Sequence, residues 1–196
     1  MTDYDAIVPA GGAAGRLGGA DKPGLEVGGR TLLDRVLTAA AGAATTVVVG
    51  PARPTTAPGV HWTREDPPGG GPVAAVAAGL AHVTADRVLL LAADLPFLDA
   101  GTVGRLVEAL DDPGTEAAVL VDATGRDQPL AGAYRTAALR ASLTALGDPA
   151  GLPLRRLTGP LATTRLADPA DAAYDCDTWE ALDRARARDA TGRPTR

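Results

Sequence analysis

The chain has no asparagine, one serine and one cysteine, and aromatic side chains make up only 3% of its 196 residues. A lone cysteine, Cys176, excludes an internal disulfide framework and a cysteine-rich zinc site. Two histidines, His61 and His82, are too few for a histidine-based metal centre. There is no surplus of basic charge: the formal net charge is −5, which argues against a nucleic-acid-binding surface. No apolar run approaches membrane-spanning length, and the start MTDYDA lacks a basic stretch followed by an apolar one. The expectation is a soluble, cytoplasmic protein with no nucleic-acid or membrane partner. With so few aromatics, a 45% hydrophobic content must build its core from Val, Leu and Ala. The excess of Ala, Gly, Pro and Arg reads as a coding bias, so single alanines and glycines carry little weight. The length suits one domain, expected over 1–188, with 189–196 a polar, disordered tail.

One further scarcity is informative. Lys22 is the only lysine; all other basic residues are arginine. It lies in AIVPAGGAAGRLGGADKPGLEVGGR, residues 6–30. Ala6–Pro9 reads as a short buried strand that runs directly into Gly11 and Gly12. Glycine exposes bare backbone N–H groups, and successive N–H groups form an anion-binding concavity. Arg16 adds a planar fork for phosphate oxygens and Lys22 a compact charge on a flexible stem. Together they suit a triphosphate. A plain flexible loop is the competing reading. Neither GxxxxGK[ST] nor GxGxxG with a downstream acidic residue is present, so a P-loop NTPase and a dinucleotide oxidoreductase are disfavoured.

The spacing Ala10-Gly11-Gly12, Arg16-Leu17-Gly18-Gly19, Asp21-Lys22 resembles the signature loop of the MobA-like nucleotidyltransferases, with Pro9 where leucine is usual. That resemblance implies a loop that wraps a nucleotide, so Pro9, Ala10, Gly11, Gly12, Arg16 and Lys22 become candidate nucleotide contacts. Arg16 and Lys22 are the catalytic candidates.

Along the rest of the chain, strand-like and helix-like runs alternate, as in an α/β layer architecture. Helices are expected at 31–41, capped by Thr31, at 73–83, 101–110, 136–146, 154–157 and 179–188. Strands are expected at 45–49, 60–62, 87–92, 116–121, 128–134 and 161–166. Arg87–Ala92 is apolar enough for a central strand buried on both faces. The family likeness narrows this to a single-domain, three-layer Rossmann-like sandwich. Its central sheet is mostly parallel with helices on both faces, of the nucleotide-diphospho-sugar transferase type.

Asp94 follows that central strand, where ligands of open α/β sheets sit. A carboxylate there can hold a divalent cation on phosphate oxygens or simply shape a turn. The segment AADLPFL resembles the family's CDxPFL, whose aspartate holds Mg²⁺; that likeness makes Asp94 a nucleotide and metal contact. Asp175 and Asp177 are two apart and face one side of an extended segment; Asp177 alternatively caps the last helix. YDCDTWEAL resembles the family's [DN]-x-[DN]-TPEDL, which makes Asp177 the second metal ligand and Asp175 an outer partner. Glu65–Val76 resembles a base-contacting loop, with Asp66 the nearest acidic match; a guanine contact and a plain loop carboxylate stand equal. Gln128-Pro129-Leu130 and Arg155-Arg156 resemble acceptor-side segments, and an exposed basic pair is the alternative for the arginines.

The implied reaction moves GMP from GTP to the phosphate of Mo-molybdopterin with Mg²⁺, in transient contact with molybdoenzyme maturation proteins. A CTP-dependent sister enzyme, another small phosphorylated acceptor, and a non-catalytic cofactor carrier are the alternatives.

Overall fold

The computed structural model describes residues 3–12 and 18–192. Its centre is a seven-stranded sheet. In chain order the strands are β1 (Tyr4–Pro9), β4 (Thr46–Val49), β5 (His61–Thr63), β6 (Arg87–Leu91), β7 (Ala117–Val121), β8 (Asp127–Arg135) and β9 (Thr163–Ala167). Between β1 and β4, a small separate hairpin pairs β2 (Glu26–Val27) with β3 (Arg30–Thr31). The order across the large sheet is β5-β4-β1-β6-β8-β7-β9. All its neighbours run parallel except β8, which is antiparallel to both β6 and β7. The mostly parallel α/β expectation therefore holds.

The chain leaves β1 on one side toward β4 and β5, then returns to its other side at β6. The strand order reverses at β1, and a crevice opens beyond the carboxyl ends of β1 and β6.

Two helical layers cover the sheet, and strand alternation sorts residues between them. Ala6 and Val8 of β1, with Leu89 and Leu91 of β6, face α1 (Leu32–Ala39) and α3 (Ala100–Glu108). Ile7, Val88 and Leu90 face α2 (Gly71–Leu80), α4 (Thr136–Leu146) and α5 (Arg155–Thr158). Both faces of the central strands are buried, which is why they read as continuous apolar runs rather than alternating ones. The fully buried leucines of β6 are each worth about 2–5 kcal/mol against alanine.

Helix α6 (Trp179–Ala190) sits apart, packing Leu182 and Ala185 on Val27, Leu32 and Cys176. It ends two residues past the expected helix bound of 188, and Arg35 donates to Asp189 at 2.6 Å. Residues 193–196 of the expected tail lie outside the described residues. Among the described residues no helix is long and apolar enough to cross a membrane.

The caps follow the sequence chemistry. Thr31 Oγ1 accepts the Asp34 N–H at 3.0 Å and Asp99 accepts that of Thr102 at 2.7 Å. The β2–β3 hairpin was not foreseen, although its Gly28-Gly29 pair is a hairpin signal. Both glycines have positive φ, 59° and 74°, as a two-residue turn of primed type requires.

Candidate active site

The carboxyl ends of β1 and β6 open into a cavity of about 750 Å³. Six segments meet there, Leu130 of β8 being one. Pro9, Ala10, Gly11 and Gly12 come from the end of β1, Lys22 and Pro23 from the next turn, and Ala92–Asp94 from the end of β6. Glu65, Gly69, Gly71, Pro72 and Ala75 bring the start of α2, and Asp175 and Asp177 come from the segment before α6.

The glycine loop is held tightly at its base. Ala10 donates to Val49 O at 2.8 Å. A Cβ on Gly50 would lie 2.9 Å from both Ala10 C and Gly11 N, so only glycine lets β4 end against this loop. Arg53 closes the loop from outside: its guanidinium donates to Ala10 O at 3.3 Å and grips Asp21 at 2.7 and 3.1 Å. Asp21 is therefore a structural anchor. It leads into the 3-10 turn Lys22–Gly24, whose first residue lines the cavity.

Lys22 Nζ contacts both Asp94 and Asp177, the latter 155 residues away in sequence, and so joins the end of β6 to the segment before α6. Oxygens of Asp94, Asp175 and Asp177 all lie within 4.8 Å of one another. Burial pulls the Lys22 ammonium down, but the Asp94 and Asp177 carboxylates outweigh it and its pKa is raised. Burial, then the neighbouring Asp177 and Asp94 charges, push Asp175 up. Among the described residues the cavity wall carries four carboxylates, with Glu65, against one lysine. Such a wall repels a triphosphate unless a cation stands between them. The donors are clustered, hard carboxylate oxygens, the ligand set Mg²⁺ and Ca²⁺ prefer. The residues fit a magnesium ion.

Helix α2 contributes the opposite field. Pro72 fills its first turn, where no N–H is needed, and Gly71, Pro72 and Ala75 present the helix's amino end to the cavity. Unpaired N–H groups and the dipole there favour an anion.

A family model, the MobA-like NTP transferase domain, matches residues 6–165. The chain belongs to that family. It is 37% identical over 143 residues to a molybdenum cofactor guanylyltransferase from Bradyrhizobium sp. (strain ORS 278), covering 68% of this chain and 66% of that one. It is 39% identical to one from Rhodopseudomonas palustris (strain BisB5), covering 66% and 67% respectively. The matches thus span about two thirds of these relatives' lengths. In fold, the chain is similar to 2-C-methyl-D-erythritol 4-phosphate cytidylyltransferase from Thermus thermophilus (TM-score 0.72, 25% identity, 95% of this chain and 98% of that one). It resembles equally the molybdopterin-guanine dinucleotide biosynthesis protein A of Archaeoglobus fulgidus (TM-score 0.72, 19% identity, 95% and 99%).

Against the family's expected site, the structure brings Pro9, Ala10, Gly11, Gly12, Lys22, Asp94 and Asp177 onto one wall. Arg16 lies outside the described residues. Asp66 is exposed, and its neighbour Glu65 takes the place on the cavity, its carboxylate accepting the Gly69 N–H at 3.1 Å. The cap of α6 is Thr178, which accepts from Ala181 at 3.2 Å, so Asp177 has no capping duty. Gln128 lines a second, adjoining cavity of about 240 Å³, with Leu154 on its wall. Arg155 and Arg156 are exposed on α5, which turns Leu157 inward instead. Sequence reasoning missed Arg53 and Glu65. Arg53 carried no motif, being one arginine among many in a proline-rich passage. Glu65 adjoins Asp66, the acidic residue that the motif likeness favours.

Proposed function

We propose that this chain transfers GMP from GTP to the phosphate of Mo-molybdopterin and releases pyrophosphate. One observation carries the reading. The single lysine stands between Asp94 and Asp177, on the wall of a cavity bounded by the glycine loop and the start of α2. The family is one of NTP transferases, and the relatives named above are molybdenum cofactor guanylyltransferases.

The acceptor phosphate oxygen attacks the α-phosphorus of GTP. A new P–O bond forms as the bond to the β-phosphate oxygen breaks, and pyrophosphate leaves. A phosphate monoester is largely ionised near neutral pH, so no side chain has to remove a proton. The work left to the protein is alignment and charge neutralisation. Lys22 stabilises charge at the α-phosphate, and Arg16 holds the β- and γ-phosphates. The amino end of α2 and the Gly11–Gly12 backbone bind phosphate oxygens. Asp94 and Asp177 would hold Mg²⁺, with Asp175 as their outer partner, and the bound ion would supply positive charge to offset that of the phosphates. The proposed location is the cytoplasm, with product handed to molybdoenzyme maturation proteins.

The test is pyrophosphate release with Mo-molybdopterin, Mg²⁺ and each of the four NTPs. Release with GTP alone is expected. Release with CTP alone would move the base assignment, and release with none would overturn the acceptor.

A further inference from the structure

The second cavity is built around a hydrogen-bond relay that starts outside it. It adjoins the nucleotide cavity, sharing Ala92, Leu130 and Asp175 with it. Its walls are otherwise aliphatic: Leu95, Pro129, Leu130 and Leu154. Gln128 is the one neutral polar side chain among the described residues that line it. The strand that carries Gln128 is irregular there. Val119 pairs with Gly132 but Leu120 pairs with Gln128, so Pro129, Leu130 and Ala131 bulge out of the β7–β8 ladder. The bulge is pinned from within. The fully buried Tyr134 hydroxyl donates to Pro129 O at 2.7 Å, and Ala92 N donates to Leu130 O at 2.7 Å. Burial pushes the Tyr134 phenol far up, so it remains a donor.

The turn between β7 and β8 fixes what Gln128 can offer. One Asp122 oxygen accepts three donors: Thr124 N at 2.8 Å, Thr124 Oγ1 at 2.7 Å and Arg126 N at 3.1 Å. These bonds, the Thr124 hydroxyl foremost, lower the Asp122 pKa to about 2. Its other oxygen accepts from Gln128 Nε2 at 2.6 Å. An ionised carboxylate only accepts. The amide nitrogen of Gln128 must therefore face Asp122, and its carbonyl oxygen must lie on the other side.

Building on the acceptor reading above, we infer that Asp122 is a positioning residue for the acceptor. It locks the Gln128 amide so that Oε1 meets an N–H on the edge of a flat nitrogen heterocycle in the second cavity. Leu95, Leu130 and Leu154 supply the apolar surface for the ring. A heterocycle presenting only acceptor atoms on that edge is rejected, because two oxygens or lone pairs would face each other.

The reversal of a single hydrogen bond tests this. Asp122→Asn keeps the oxygen that the three turn donors demand, so its new NH₂ must face Gln128. The Gln128 amide then flips and turns nitrogen toward the acceptor. The expected result is an acceptor KM raised about tenfold, with the GTP KM and the kcat at saturating acceptor little changed. Gln128→Glu sets two carboxylates against each other and raises the acceptor KM similarly. The double variant Asp122→Asn/Gln128→Glu restores the bond with reversed polarity and again presents oxygen. Its acceptor KM should return to within about threefold of wild type. A purely structural Asp122 would alter thermal stability without splitting the two KM values. An unchanged acceptor KM in Asp122→Asn, or no recovery in the double variant, overturns the inference. Binding of molybdopterin, followed by pterin fluorescence, separates this from failure of the reaction itself. A wild type that binds pterin but turns over with no NTP overturns the function, and weaker binding in Asp122→Asn would still support the relay. A wild type that binds no pterin overturns both.

Discussion

Strand β1, with its neighbour β6 beside it, lies between two kinds of buried acid. Near its start Asp5 is fully buried, and its carboxylate accepts three backbone N–H groups, from Thr45 at 2.9 Å, Thr84 at 2.7 Å and Ala85 at 2.9 Å. Beyond the carboxyl end of the neighbouring β6, Asp94 is almost as buried but stands with Asp175, Asp177 and Lys22 around a cavity. The contrast separates structure from function. A carboxylate surrounded by neutral donors from neighbouring loops ties elements together and has nothing left to offer. Carboxylates crowded against one another are held at a cost in mutual repulsion, and that cost is compensated only by a cation. The two ends should therefore respond to opposite assays.

The largest effect is expected at Asp94. Asp94→Asn keeps the shape and removes one charge from the proposed ion site. Turnover should fall by about 10³-fold, roughly 4 kcal/mol of transition-state stabilisation. Thermal stability should barely fall, since a crowded acid is removed. Steady-state kinetics at several Mg²⁺ concentrations, beside a melting curve, measure both. Near-normal turnover would remove Asp94 from the site. Lys22→Ala comes next, with kcat down about 10²-fold and nucleotide affinity reduced far less, because its charge acts where the transferring phosphate develops charge. An unchanged kcat with a raised nucleotide KM would make Lys22 a simple binding residue.

Asp5→Ala inverts the pattern. Three backbone donors lose their acceptor inside the fold, which costs about 3 kcal/mol or more in denaturant unfolding. The kcat of the folded fraction should stay within about twofold of wild type, since the change is at the opposite end of β1 from the cavity. A turnover loss matching that of Asp94→Asn would break the distinction between the two ends.

Much of this division is legible in the sequence. The apolar runs at 6–9, 45–49 and 87–92 give the core strands, and the loop spacing with its lone lysine gives one side of the site. Asp94 and Asp177 were legible through the segments around them. What escaped has a physical reason in each case. Asp5 looks like any polar residue before a strand, because its three donors come from residues 45, 84 and 85. Arg53 acts on Asp21 and Ala10 from a loop without periodicity. The bulge in β8 depends on Tyr134 reaching back to Pro129, which strand alternation does not encode. Asp66 was preferred over Glu65 by motif likeness, whereas only the fold decides which of two adjacent acids faces the cavity.

Asp34 gives the smallest effect and the finest test of the comparison. It lies on α1, buried, and its carboxylate accepts from Thr55 Oγ1 at 2.5 Å and Thr56 N at 2.9 Å, holding the 51–59 passage on the helix. Burial alone would raise its pKa, but the Thr55 and Thr56 bonds outweigh that and lower it below 3.8. A carboxyl depressed in the folded state adds stability above its unfolded pKa and loses it as pH falls through the folded value. Asp34→Asn should then cost about 1–2 kcal/mol near neutral pH, a Tm lower by about 3–6 °C. The gap to wild type should stay level down to about pH 4 and close below it. Activity should be unchanged, since Asp34 lies outside the cavity. A gap that is constant at every pH would mean that the Asp34 bonds do not depend on its charge. The acid would then differ from those beside Lys22 in its neighbours alone.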